Sequence, residues 1–318
     1  MTDDAVARRL TRKFATTDRP APWQFVLYGG IGDQVLWLSL LPSFRRRTTR
    51  KVVVYYDPLA ADVVRLFAGR SFDRAIEVDA LDGEEVARLR EQQRFEPGTP
   101  LLAWHWSFVG DEIQYLAAEH RTIADLIRQL LRLPPDAPID RPVWPRAARE
   151  EAAGQMRRLG LPAGRTMLIA PWAKSSSVTL PLRWWTEVAR HFAARGFAIA
   201  TNIGNRGRGF DRLGMEMDLA ALPGTVAADV PLRDLGPFAE CCGNVICMRS
   251  GLSDLLAFSK ARMCVVWPHE VRREIFFRKL FAIWSVERIY GAHEVVEVHA
   301  EVSAPLDAAV LPAWVAGG

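Results

Sequence analysis

Short runs of β-branched and other apolar residues alternate with longer segments of helical periodicity along almost the whole chain. This alternation limits the fold more than any single motif does. In the first half, residues 24–28, 51–56, 75–78 and 101–106 have the length and composition of strands, and residues 33–44, 58–67, 82–94 and 123–133 have the spacing of helices. In the second half, strands are expected at 166–171, 197–203, 226–229, 244–248 and 263–267, and helices at 146–159, 182–195, 232–241, 252–260 and 274–283. Strands separated by helices return to the same sheet by right-handed crossovers, so neighbours run parallel and both faces are covered. A proline-dense stretch, 134–145, interrupts the pattern near the middle of the 318 residues with Pro134, Pro135, Pro138, Pro142 and Pro145. Proline at that density neither continues a helix nor enters a central strand. The stretch therefore reads as a linker, and the chain as α/β with two Rossmann-like parallel-sheet domains, 1–145 and 146–318.

Ligands of such sheets sit at the carboxyl ends of the strands. Two turns there stand out. Gly29-Gly30-Ile31-Gly32-Asp33 follows the first strand, and Met248-Arg249-Ser250-Gly251 joins the strand at 244–248 to the helix at 252–260. Both are expected to face a cleft shared by the two domains. A helix start offers backbone N–H groups and the positive end of a dipole to an anion. Arg249 adds a fork of donors suited to phosphate, with Ser250 and Gly251 beside it. The plainer alternative is a structural bridge from Arg249 to Asp254 or Asp234, and Asp254 would otherwise meet a ligand hydroxyl. Lys174 with Ser175, Ser176 and Ser177 follows the strand at 166–171 and suits an anion or a solvated loop. Asn202, Gly204, Asn205 and Arg206 suit a nucleoside or a simple turn. His105, between Trp104 and Trp106, ends a strand of the first domain. Asp33 suits a general base or a helix N-cap.

Composition narrows the classes. Apolar residues make up 49% and charged residues 25%, as in ordinary soluble proteins. No apolar run nears the roughly 20 residues needed to span a bilayer, and no secretory h-region opens the chain, so a cytoplasmic protein is expected. The net charge is +4, with basic clusters at Arg45-Arg46-Arg47 with Arg50-Lys51, and at Arg272-Arg273 with Arg278-Lys279. Such clusters suit anionic substrates, the inner face of a membrane, or merely solvated helix faces. No aromatic-basic interleaving or named motif points to nucleic acid. The four cysteines, Cys241, Cys242, Cys247 and Cys264, lack zinc-site spacing and read as reduced thiols, so no metal is expected.

Four segments in order resemble the bacterial ADP-heptose:lipopolysaccharide heptosyltransferase family, two-domain glycosyltransferases of the GT-B class. They are Gly30-Ile31-Gly32-Asp33-Gln34-Val35-Leu36; Ala170-Pro171-Trp172-Ala173-Lys174-Ser175 with Leu180-Pro181-Leu182-Arg183-Trp184-Trp185; Val230-Pro231-Leu232-Arg233-Asp234-Leu235; and Arg249 to Ala257. The resemblance implies an inverting, metal-independent transferase with no cofactor, in surface polysaccharide synthesis. It takes a nucleotide-diphosphate sugar in the second domain and a glycan or glycolipid in the first, with peripheral contact to the inner membrane. It implies Asp33 as base. Lys174, Ser175, Ser176, Asn202, Gly204, Arg249, Ser250, Gly251 and Asp254 would bind the donor, and Gly30, Gly32, Gln34 and His105 the acceptor. The sequence departs from the family pattern where Arg249 replaces an acid and Asp254 a histidine, and where an expected lysine and glutamate are missing. A non-catalytic nucleotide-sugar-binding protein and a nucleotide-sugar epimerase are the alternatives. A dinucleotide oxidoreductase is weaker, because the glycine turn is not Gly-x-Gly-x-x-Gly.

Overall fold

The computed structural model describes residues 3–92, 94–104, 111–173, 179–204, 220–270, 281–291 and 294–316. The chain divides into two units, Met1–Val143 and Trp144–Gly318, and the division falls inside the proline-dense stretch.

The first unit has four strands, β1 (Trp23–Leu27), β2 (Val52–Tyr56), β3 (Arg74–Glu77) and β4 (Pro100–Ala103), all parallel in the order β3-β2-β1-β4. Its helices are α1 (Asp3–Lys13), α2 (Ile31–Arg45), α3 (Ala61–Leu66), α4 (Gly83–Glu91), α5 (Asp111–Ala118) and α6 (Ile123–Leu130). The central strands are apolar on both faces because helices cover both, as a parallel sheet requires. α1 was not anticipated from the sequence, where this segment reads only as polar and charged. Its Val6, Leu10 and Phe14 recur every four residues and form one face, buried with Val53, Tyr55, Val86, Leu89 and Leu102. The Phe14 ring meets Tyr55 edge-on at 4.9 Å. The polar side of α1 is pinned to α4 by Lys13 with Glu85 at 2.7 Å and Arg9 with Asp82 at 3.0 Å.

The second unit has six strands: β5 (Thr166–Ala170), β6 (Ala198–Asn202), β7 (Val226–Ala228), β8 (Gly243–Met248), β9 (Arg262–His269) and β10 (Val295–Glu301). All are parallel, in the order β10-β9-β8-β5-β6-β7. Counted from β5, this is the full doubly wound order 3-2-1-4-5-6. Its helices are α7 (Arg146–Arg158), α8 (Leu182–Ala193), α9 (Leu232–Cys242), α10 (Gly251–Leu256) and α11 (Val286–Tyr290). Trp184 and Trp185 of α8 go into the core with Met167, Val188, Phe192 and Ile246, so these tryptophans serve packing. α9 comes so close to Trp144 that a Cβ on Gly236 would lie 2.2 Å from the indole. α9 ends at Gly243, whose φ of +83° suits glycine in the left-handed cap. β10 is an addition to the expected strands. Most of the helix expected at 274–283 lies outside the described residues.

The cysteines are free thiols, three buried and Cys241 half-buried. Burial pushes Cys264 up to about 12, so it stays protonated near neutrality. Among the described residues no helix is long and apolar enough to cross a membrane, and no acidic, cysteine or histidine cluster could hold a metal ion.

Candidate active site

In each sheet the strand order reverses at one point, β1/β4 in the first unit and β5/β8 in the second. Crevices at such points take ligands. Each of the two glycine turns seen in the sequence lies at one of them.

In the first unit the chain leaves β1 through Gly29, whose φ is +87°. A Cβ there would lie 2.4 Å from the Trp104 ring and 2.8 Å from Asp33 Oδ2, so only glycine fits. Trp104, just after β4, and the Asp33 carboxylate thus crowd one side of the turn. Gly30, not Asp33, is the N-cap of α2, and Asp33 is the third residue of the helix. Its Oδ2 accepts the Gly30 N–H at 3.1 Å, reaching back to an end group the helix leaves unpaired. This corrects the expected N-cap. Gln34 is buried, and its side-chain N–H donates to the Gly29 carbonyl at 3.4 Å. It braces the turn from inside, and its Oε1 is buried without a partner among the described residues. Gly30 and Gly32 are on the turn and the first helical turn. His105 is outside the described residues.

In the second unit β5 runs out through Pro171, Trp172 and Ala173. The Trp172 indole N–H is buried without a partner among the described residues. Lys174, Ser175 and Ser176 come next and lie outside the described residues. The β8 turn differs from expectation. Arg249 Nη1 donates to Asp254 Oδ2 at 2.7 Å and Nη2 to Asp254 Oδ1 at 3.0 Å, a bidentate pair. Nη1 also donates to the Ser250 carbonyl at 2.8 Å and Ser253 Oγ at 3.1 Å, and Nε to the Trp284 carbonyl at 3.1 Å. The guanidinium lies 5.6 Å from the Trp267 ring centroid. The two side chains are 11% and 6% exposed. Burial works against the arginine's charge, but the adjacent Asp254 more than offsets it and holds the group protonated.

Four backbone N–H groups of this turn are also bonded within the protein. Arg249 N–H bonds the Val266 carbonyl, Ser250 N–H bonds Ser253 Oγ, Leu252 N–H bonds Ser250 Oγ, and Ser253 N–H bonds the Ser250 carbonyl. Arg249 thus forms the structural bridge to Asp254 that the sequence offered as the alternative to phosphate contact. All three guanidinium nitrogens are bonded within the protein, and Asp254 is the partner that orients the arginine. Two of the positions that depart from the family pattern are the two that pair. The Glu297 carboxylate, on β10, supports the assembly by accepting from Trp267 Nε1 at 2.9 Å and from the Val286 N–H at 3.1 Å. The alternating Val296-Glu297-Val298-His299-Ala300-Glu301 pattern was the available signal for this strand.

At β6, Asn202 is buried and its Oδ1 accepts the Gly204 N–H at 3.2 Å, closing a local turn. A Cβ on Gly204 would lie 2.3 Å from the Val230 carbonyl oxygen. Both residues thus have structural reasons for their identity.

No protein-family model matches the sequence, and no curated protein matches it significantly. Solved structures do match in fold. The chain is similar to a glycosyl transferase family 9 protein of Veillonella parvula at 14% identity and TM-score 0.55, over 88% of this chain and 86% of that one. It is similar to E. coli ADP-heptose lipopolysaccharide heptosyltransferase II at 11% identity and TM-score 0.54, over 86% of this chain and 90% of that one. E. coli heptosyltransferase WaaC, solved with ADP, matches at 13% identity and TM-score 0.50, over 87% of this chain and 92% of that one. The fold of this chain is that of these glycosyltransferases.

Proposed function

We propose that the protein is a glycosyltransferase moving a sugar from a nucleotide-diphosphate donor to a glycan or glycolipid in bacterial surface polysaccharide synthesis. The observation that carries the reading is the fold match to family 9 enzymes across both units, with a carboxylate, Asp33, at the switch point of the first sheet. In this reading the first unit takes the acceptor at Gly30, Gly32 and His105, and the second takes the donor. Asp33 accepts the proton of the acceptor hydroxyl. The oxygen attacks the anomeric carbon, the bond from that carbon to the phosphate oxygen breaks, and its electron pair leaves with the nucleoside diphosphate. One such displacement inverts the anomeric centre.

The leaving diphosphate needs charge stabilisation. Lys174 supplies an ammonium, and Ser175 and Ser176 supply hydroxyls, directly after the β5 switch point, so no metal is required. Arg249 and Asp254 act as positioning residues for the β8 turn. Work takes place in the cytoplasm, with peripheral contact to the inner membrane.

A thermal-shift panel of ADP, GDP, UDP, CDP and their sugars tests the donor half. The correct nucleotide stabilises by about 2.7 kcal/mol at a hundredfold excess over its dissociation constant. The shift is expected with one nucleobase and is lost in Lys174→Ala. A folded protein that responds to none of the panel overturns the reading.

A further inference from the structure

We infer that a basic groove at the amino edge of the first sheet is a binding site for phosphate-bearing anions, whether membrane headgroups or free phosphate compounds. The groove encloses about 670 Å³. Five cations line it: Arg45 and Arg46 at the end of α2, Arg50 and Lys51 in the approach to β2, and Arg70 after α3. Two carboxylates, Asp73 and Asp140, share the lining, which leaves a surplus of three positive charges.

The acids are already committed. Asp73 Oδ1 takes Arg45 Nη2 at 2.6 Å, and its Oδ2 accepts the Val52 N–H at 2.8 Å. Burial alone would raise the Asp73 pKa, but these donors hold it below the usual carboxylate range, so it stays charged and spent. Asp140 takes Arg46 at 3.4 Å. Lys51 has only an exposed contact to Asp18 at 3.3 Å. Arg50 donates to the Ala21 carbonyl, which leaves its charge uncompensated, and neither Arg50 nor Arg70 has a carboxylate partner among the described residues.

The bland explanation is that cations collect at a helix C-terminus to meet the negative end of its dipole. It accounts for Arg45 and Arg46. It does not account for Arg50, Lys51 and Arg70, which come from other segments and converge on the same concavity. The groove is also remote from Asp33, since the two occupy opposite ends of α2, about 20 Å apart at 1.5 Å per residue. It is therefore separate from the proposed reaction site; a headgroup occupant deepens the membrane contact proposed above, and anion binding here does not require sugar transfer.

The test uses the full chain and needs no sugar donor. Sedimentation with vesicles of phosphatidylglycerol and phosphatidylcholine is compared with pure phosphatidylcholine, and thermal shift is measured with inorganic pyrophosphate. R46Q/R70Q removes two exposed charges. At about one kcal/mol per cation near an anionic surface, vesicle partition is expected to fall roughly thirtyfold. R46K/R70K keeps the charges and is expected to keep partition. Vesicle binding lost in R46Q/R70Q identifies a headgroup as the occupant. A pyrophosphate shift lost in the same variant, without vesicle binding, identifies a soluble phosphate compound. Either result supports the site. No binding of vesicles or pyrophosphate by the parent chain, or binding unchanged in R46Q/R70Q, overturns it. A nucleotide shift that survives in R46Q/R70Q separates this outcome from the fate of the transferase reading.

Discussion

Asp254→Asn isolates the charge of the buried pair at the β8 turn while keeping its shape. In the folded protein the Arg249 guanidinium is 11% exposed and donates twice to this carboxylate. Removing one partner of a buried pair costs about 3–5 kcal/mol. The lower end applies here, because Arg249 keeps the Ser250 and Trp284 carbonyls and Ser253 Oγ as neutral acceptors. For a unit of this size each kcal/mol moves the melting midpoint by about 2–4 °C, so a fall of roughly 6–12 °C is expected. Differential scanning calorimetry measures it directly. Replacing both members, as R249M/D254L, is expected to recover most of that loss, since apolar groups of similar volume often match a buried ion pair. The double variant should still respond to its nucleotide. An Asp254→Asn variant that melts with the parent, together with a double variant blind to every nucleotide, would refute the positioning role and return Arg249 to the ligand.

Three further outcomes follow from close contacts and burial. Gly29→Ala forces a side chain into the left-handed region, costing about 1–2 kcal/mol before the contact with Trp104 is counted; urea unfolding should show a loss above 2 kcal/mol, and an unchanged midpoint would contradict the turn geometry. Gly236→Ala drives a methyl into Trp144 and should destabilise by about 1–3 kcal/mol; adding Trp144→Leu should relieve it, and no relief would show that the indole is not the obstacle. Burial, with Arg195 nearby, holds the His191 imidazole below its ordinary pKa of about 6.5. The unfolded chain therefore takes up this proton first, so the stability His191 contributes is complete above that value and is lost as pH falls through the depressed one. His191→Gln should flatten the decline of the melting temperature between neutrality and pH 5, and an identical decline would contradict the assignment.

The strand and helix alternation was sufficient to read the first sheet and five of the six strands of the second, because central parallel strands are apolar on both faces and are separated by helices. The proline-dense stretch could be read as an interruption of both elements, since proline supplies no N–H to either. Elements whose signal is diluted were harder to see. α1 carries its apolar face on Val6, Leu10 and Phe14 among charged residues, and β10 alternates only at the sheet edge. Both glycine turns could be located, whereas the partners within them could not. Arg249 at a strand end has the same appearance whether it awaits a phosphate or closes on an acid five residues later. Its burial depends on Trp267, Trp284 and the β10 strand, which lie far along the chain. Asp33 was placed correctly on its turn, but the helix starts two residues earlier than the apolar spacing suggests.

The central claim is that this chain transfers sugar using Asp33 as base. The most direct measurement is release of nucleoside diphosphate, with product identified by mass spectrometry, from a panel of nucleotide sugars supplied with lipopolysaccharide-core glycolipids. The expected result is one donor turned over by the parent chain and a drop of about 10²–10⁴ in rate for Asp33→Asn, with nucleotide binding and melting temperature preserved. Nucleotide binding with no turnover of any donor, or turnover that Asp33→Asn leaves intact, would contradict it.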